Sequence, residues 1–586
     1  MFGATLFYQD TYSGASVRVP AALLIVSFTL ACGHPSATPD ASPVSGVAAD
    51  WPYLGKSRVT ASRQAMVVSG SPIASEVGRD ILQQGGTAVD AAVAVGFALA
   101  VVHPEAGNIG GGGFMIIRSR EGKVQALDYR EIAPGLATRD MYRSAGEDGS
   151  VTGHLSAGVP GAVAGLTEAH RRYGRLPLAA VIQPAIRLAL EGFTVDDYRS
   201  RSIGEDSARL ALFPASRTTF LPADRPPQPG STFRQPELGA TLEAIRDSGA
   251  AGFYRGRVAE LLVAEMKRGG GIISIQDLAD YRAVWRDPIE VSYRGYTIYS
   301  MPPASSGGVT MGEILNIMEG FSPLPRFGSA ALIHREAEAM RRAFTDRNTY
   351  LGDPAFVRNP IDRLLSKQYA ADLRRQIGEP ASPTPVFEPA PAAGASTTHY
   401  SVVDAEGNAV SCTTTLNNSY GSAVTVTGAG FLLNDEMDDF ATSPGEPNMY
   451  GLVQGEANAI APGKRMLSAM TPSIVLSPQK QLYLVVGTPG GPRIITLVYH
   501  VISNVIDHRM TLADAVMAPR MHHQGLPDTL MVETNGFPPQ TLDSLRGRGH
   551  AVLEDGNWGD VEGIIRTTQG WEGVSDPRRG GGGAGY

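Results

Sequence analysis

Thr397-Thr398-His399-Tyr400-Ser401-Val402-Val403 is followed by Asp404 to Asn408 and then by Ala409-Val410-Ser411-Cys412-Thr413-Thr414-Thr415-Leu416-Asn417. Two runs rich in β-branched and aromatic residues, joined by a short stretch holding Gly407 and Asn408, predict a β-hairpin. With its loop centred on Glu406, Val403 faces Ala409, Ser401 faces Ser411 and Thr397 faces Thr415. Thr415 and Asn417 are two apart on one strand and project from the same side. A hydroxyl and an amide therefore flank Thr397 in this register. A slip of one residue would put Leu416 there instead.

The stretch before the hairpin, Gly378 to Ser396, is rich in Pro, Ala and Gly, has little to bury, and is expected to be an exposed, mobile tether. A threonine hydroxyl is a weak nucleophile until a base takes its proton. If the Ser396-Thr397 bond were cut, the freed α-amine of Thr397, with an ordinary pKa of ~8, could be that base. Local pattern alone leaves open that Thr397 is no more than the first residue of a strand.

Outward from the hairpin, Pro72 to Gln84 reads as a helix stopped by Gly85-Gly86, and Thr87 with Asp90 forms a capping box for the next one. Ala91 to Val102 is apolar all round, as a helix buried on every side must be. Gly110 to Gly113 leads into a strand at Phe114–Ile117, a turn at Glu121-Gly122 and a second strand at Ala126–Tyr129 that ends at Arg130. Leu166 to Ala283 is mostly helical, broken by a Pro-dense loop at Leu221 to Pro229. Strands are predicted at Ser473–Leu476 and Leu482–Val486, helices from Ile494 onward. Arg579 to Tyr586 is nearly all glycine and suggests no role. The content is helix, sheet, sheet, helix.

The formal net charge is −8 and no Lys/Arg run tracks a phosphate backbone, which argues against nucleic acid as a partner. Residues 1–31 read as a secretory signal, followed by a Pro/Ser/Ala-rich linker over 32–64. Its apolar part is shorter than the ~20 residues a membrane span needs. Thr29-Leu30-Ala31-Cys32 is similar to a bacterial lipobox, although Thr29 stands where an aliphatic residue is usual. Lipidation at Cys32 and ordinary cleavage nearby both remain open, and either places the protein in the periplasm or cell envelope. The other cysteine, Cys412, is then left as a buried free thiol in a strand.

Thr397 to Asp404 resembles the processing-site signature of the γ-glutamyltranspeptidases, members of the N-terminal nucleophile hydrolases. Further blocks resemble that family in the same order: Gly85 to Ala92, Gly110 to Met115, Asp128 to Glu131, Met301 to Gly308, Leu432 to Phe440 and Pro489 to Ile494. The resemblance spans about Ala65 to Asp576. It implies an α+β fold, a four-layer αββα sandwich, built from a large subunit (65–396) and a small one (397–586) that associate as a heterodimer after the precursor cuts itself. It also implies that Thr397 is the nucleophile, with Thr415 bonded to its hydroxyl, and that Gly490 and Gly491 form the oxyanion hole. Arg130 and Ser468 would hold the substrate α-carboxylate, and Asn417, Glu436 and Asp439 the α-ammonium. Ser443 to Gly455, with Tyr450, resembles the lid loop. One departure stands out: the family has two consecutive serines, and here the second is Ala469.

Each assignment has a plainer rival. Arg130 could be a solvated strand-end charge, Asp435 to Asp439 a loop or a calcium ligand set, and Pro489-Gly490-Gly491 a turn. Gly55-Lys56-Ser57 lacks the upstream glycine of a phosphate-binding loop, and His522-His523 are adjacent rather than spaced for a metal. No cofactor and no metal are implied. The expected activity is γ-glutamyl transfer from glutathione and other γ-glutamyl compounds to water, amino acids or peptides. The alternatives are a glutaryl or cephalosporin acylase of the same superfamily, and a non-catalytic surface-binding lipoprotein on the same scaffold.

Overall fold

The computed structural model describes residues 46–144, 146, 148–383 and 395–586. The signal segment, Cys32, the first part of the linker and residues 384–394 of the tether lie outside the described residues. In chain order the strands of the two large sheets are β1 (Arg58–Ser62), β2 (Met66–Ser69), β3 (Gly112–Arg118), β4 (Val124–Asp128), β5 (Val284–Arg286), β6 (Ile289–Tyr293) and β7 (Tyr296–Ser300). They continue with β8 (Ala395–Val403), β9 (Ala409–Asn418), β10 (Ser473–Leu476), β11 (Leu482–Gly487), β12 (Glu562–Thr567), β13 (Gly570–Ser575) and β14 (Gly582–Gly585). One sheet has the order β14-β2-β8-β9-β3-β4-β5, the other β1-β13-β12-β11-β10-β7-β6.

The sheets stack face to face, β8 and β9 lying against β11 and β12. Outside the first sheet lie helices α1 (Pro72–Gln83) and α2 (Ala88–Val102). Outside the second lie α3 (Gly307–Glu319), α4 (Ala330–Tyr350) and α5 (Arg493–Ile506). This is the expected αββα order. Thr87 and Asp90 make the capping box that starts α2, and every residue of that helix is buried. Burying each of its valines and leucines contributes about 1.5–3 kcal/mol.

The β8–β9 hairpin has the register read from the sequence: Val403 pairs with Ala409, Ser401 with Ser411 and Thr397 with Thr415. Tyr400, Val402, Val410 and Cys412 turn toward α2 and its apolar cluster. The alternate residues turn toward the second sheet. There Val403 and Ala409 join the inter-sheet core, while polar residues of the same face are buried with their bonds satisfied. His399 lies 2.9 Å from Thr413 Oγ1 and 3.1 Å from Ser401 Oγ, and Ser401 Oγ donates to Glu562 O at 2.9 Å. Cys412 is a free, buried thiol whose Sγ lies 2.9 Å from the Tyr129 hydroxyl, and burial pushes it up to about 12.

Three expectations change. The stretch read as a linker over 32–64 in part belongs to the fold: β1 pairs with β13, and Trp51 Nε1 donates to Met517 O at 2.8 Å. The tether is fastened at its start, where Ala381 N donates to Arg548 O at 2.8 Å and Ser382 N to Glu338 Oε1 at 3.1 Å. It has also become strand by Ala395, so β8 runs through the Ser396-Thr397 bond. The glycine tail, to which no role was given, supplies β14, the edge strand beside β2. A Cβ on Gly585 would sit 2.6 Å from Ala65 O, so the close approach of backbone to backbone requires glycine there.

Candidate active site

Thr397 and Thr415 face each other across the hairpin, their Oγ1 atoms 3.1 Å apart, and both are buried. The Thr415 hydroxyl also accepts the Asn417 N–H at 2.8 Å. Asn417 adopts φ 81° at the irregularity in the β8–β9 register, and its amide donates to Asp435 O at 3.1 Å. The side chains predicted to flank Thr397 are thus brought beside it.

Arg130 follows β4 and is wholly buried. Its carbonyl accepts from Tyr281 at 2.7 Å and its N–H donates to Asp128 Oδ1 at 3.0 Å, which fixes the backbone from which the guanidinium reaches inward. The guanidinium forms ion pairs with Glu436 and Asp439 and lies 3.5 Å from Glu131. Burial raises Glu436 and Asp439 above the ordinary carboxylate range and Arg130 pulls both back; burial likewise takes Glu131 up to about 7. The sequence assigned Arg130 and these acids to opposite ends of a ligand. In the structure they pair with one another, so a zwitterion can replace those contacts, its carboxylate taking the guanidinium and its ammonium the acids.

Gly490 and Gly491 have φ of 144° and 56°, and neither N–H has an acceptor among the described residues. Tyr450 covers Gly491: a Cβ there would lie 3.0 Å from the tyrosine ring. The Tyr450 hydroxyl donates to Asn417 Oδ1 at 2.8 Å, which latches the 443–455 segment over the site. Ser468 also lines the site, and its Oγ accepts from Met470 N at 3.1 Å. Gly491, Tyr450 and Ser468 line a cavity of about 20 Å³, room for little more than one water molecule, so a substrate is admitted only if its wall opens.

Sequence reasoning missed Arg347, which lines the same cavity from α4. Nothing local marks it, since it sits within a helix carrying many charges. It is buried, and its Nε donates to Ser306 Oγ at 2.9 Å and Nη1 to Asn348 Oδ1 at 2.7 Å. His399, two residues past Thr397, is not available as a base there: both ring nitrogens are engaged between the sheets and burial lowers it to about 3.

The arrangement can perform acyl transfer at Thr397 on a ligand that carries both charges of a free amino acid. A family model described as Gamma-glutamyltranspeptidase matches residues 74–586. The chain is 46% identical over 559 residues to a glutathione hydrolase proenzyme of Escherichia coli (strain K12), covering 93% of this chain and 95% of that one. It is 40% identical to an acylase ACY 1 proenzyme of Pseudomonas sp. (strain V22), covering 85% and 88%. Among solved structures, a cephalosporin acylase from Bacillus halodurans superposes with a TM-score of 0.82 at 29% identity, over 92% of this chain and 98% of that chain. A Helicobacter pylori gamma-glutamyltranspeptidase chain superposes with a TM-score of 0.52 at 45% identity, over 53% and 91%.

Proposed function

The chain belongs to the gamma-glutamyltranspeptidase family, and from that premise we propose that it is a glutathione hydrolase and γ-glutamyltransferase whose nucleophile, Thr397, is unmasked by self-cleavage. In the precursor, Thr397 Oγ1 adds to the Ser396 carbonyl carbon and the C–N bond breaks as the nitrogen gains a proton. Water then hydrolyses the resulting ester, leaving a Ser396 carboxylate and a free α-amine on Thr397. That amine is the base in turnover: His399 is withdrawn, and no ring nitrogen of the described residues lines the cavity.

In turnover the hydroxyl attacks the γ-carbonyl of glutathione, the α-amine takes its proton and hands it to the amide nitrogen as the C–N bond breaks, and Cys-Gly leaves. The Gly490 and Gly491 N–H groups are free to stabilise the oxyanion, a contribution of order ~3 kcal/mol per donor in related chemistry. Water, or the amine of an acceptor amino acid or peptide, then takes the γ-glutamyl group from the ester.

The observation that carries this reading is the Arg130–Glu436–Asp439 ion-pair cluster opening onto the Thr397 hydroxyl. A glutaryl side chain has a carboxylate but no α-ammonium, so binding it would strand both acids without a cation in a buried site. This favours the γ-glutamyl donor over the acylase reading, despite the acylases among the similar proteins. Intact mass analysis should show two chains, one starting at Thr397, with L-γ-glutamyl-p-nitroanilide hydrolysed well ahead of a glutaryl cephalosporin. Thr397→Ala should remain one inactive chain. Glutathione turnover that survives that substitution would refute the assignment.

A further inference from the structure

The two guanidinium groups lining the active-site cavity differ in one respect. Arg130 has carboxylate partners, whereas Arg347 forms no ion pair among the described residues. Its hydrogen bonds go to neutral acceptors, Ser306 Oγ, Asn348 Oδ1 and Gln454 Oε1, and its Nη2 donates to none. Burial lowers it to about 10, with Asp439 as the one carboxylate whose field opposes the fall. A buried guanidinium without a counter-ion is costly to keep unless something that binds there supplies the missing charge.

Resting on the functional reading above, we propose that Arg347 is a specificity-determining residue whose free Nη2 takes one oxygen of the donor's α-carboxylate, sharing that group with Arg130. A carboxylate has about four acceptor positions, and one bidentate guanidinium uses two of them. Ser468 is placed to take a third. The hydroxyl that the family pattern provides from the next residue is absent here, because Ala469 occupies that position on the cavity wall. Arg347 provides the donor that Ala469 cannot. It also holds the carboxylate site to the lid: Ser306 Oγ donates to Ser468 O at 2.6 Å, and Gln454, another Arg347 partner, donates to Asp439 O at 3.2 Å.

The test separates contact with the carboxylate from support of the scaffold. L-Glutamate and 4-aminobutyrate, which is glutamate without its α-carboxylate, are used as competitive inhibitors of L-γ-glutamyl-p-nitroanilide hydrolysis by the mature two-chain enzyme. In Arg347→Met the inhibition constant for glutamate and the KM of the donor should rise about 10–100-fold, as expected for loss of a charged hydrogen bond, while the constant for 4-aminobutyrate stays within about twofold. Adding Ala469→Ser to that variant should recover part of the glutamate affinity. If Arg347→Met fails to self-cleave, Arg347→Lys, which keeps the charge but loses the fork, should weaken glutamate several-fold and again leave 4-aminobutyrate alone. Equal weakening of both inhibitors, or no change in either, overturns the proposal. A wild-type enzyme that does not hydrolyse the γ-glutamyl donor would instead overturn the functional reading on which it rests.

Discussion

Thr415→Val keeps the shape of the side chain and removes its hydroxyl. That oxygen lies 3.1 Å from Thr397 Oγ1 and accepts the Asn417 N–H at 2.8 Å. Losing the contact with the nucleophile removes about 1 kcal/mol of orientation, and leaving the buried Asn417 N–H without this acceptor costs about 1–3 kcal/mol more. Because Asn417 in turn holds the lid tyrosine, part of the second effect also reaches the site. At 1.4 kcal/mol per factor of ten, self-cleavage and turnover should both slow by roughly 10–100-fold. The cleavage rate is followed by intact mass over time, turnover by L-γ-glutamyl-p-nitroanilide hydrolysis, and stability by thermal melting, so that a folding defect is seen separately. Thr415→Ser, which restores the hydroxyl, should stay within several-fold of wild type. A valine variant that cleaves and turns over within twofold of wild type would refute the reasoning.

Gly491→Ala places a Cβ 3.0 Å from the Tyr450 ring at a φ of 56°, so kcat should fall at least about tenfold, from strain of about 1–2 kcal/mol and a displaced lid; unchanged kcat would show that the backbone there is not tightly set. The pH profile of kcat/KM should rise through the α-amine pKa of ~8, and an ascending limb near ~6.5 would point to an imidazole base instead. Burial raises Glu336 to about 8, opposed by the Tyr499 hydroxyl bonded to it at 3.0 Å. The folded chain therefore keeps a proton that the unfolded chain has already lost, and the associated stability, full below about pH 4, is lost as pH rises toward 8. In the uncut Thr397→Ala chain, Glu336→Gln should gain stability over its parent from pH 5 to pH 8, by a few kcal/mol at most. A constant difference across that range would show that Glu336 is ionised in the fold.

The sequence was legible wherever local rules and burial agree. The Thr87–Asp90 box and the apolar run from Ala91 to Val102 left one reading for that segment, and the length of the 404–408 loop fixed the register that sets Thr397 opposite Thr415. It was illegible where a residue's state depends on distant partners. Thr397, His399 and Ser401 alternate with Tyr400 and Val402 as if one strand face were solvated, yet both faces are buried, because hydroxyls of the hairpin itself and a backbone carbonyl of the facing sheet satisfy the polar one. The glycine tail carries no side-chain signal, since β14 is held by its backbone alone. Arg347 is one charge among many on α4 until the fold brings it to Ser306 and Gln454.

Each of the two sheets is woven from segments on both sides of residue 396. In one, β8, β9 and β14 alternate with β2, β3, β4 and β5; in the other, β10 to β13 lie between β1 and the β6–β7 pair. If the Ser396-Thr397 bond is hydrolysed as proposed, the two polypeptides remain interleaved in both sheets and should melt together. Dilution alone will not part them, because separating them means unzipping whole ladders of backbone bonds. Neither half has a complete sheet of its own, so expressing the halves from separate genes is not equivalent to letting one chain fold first and break afterwards.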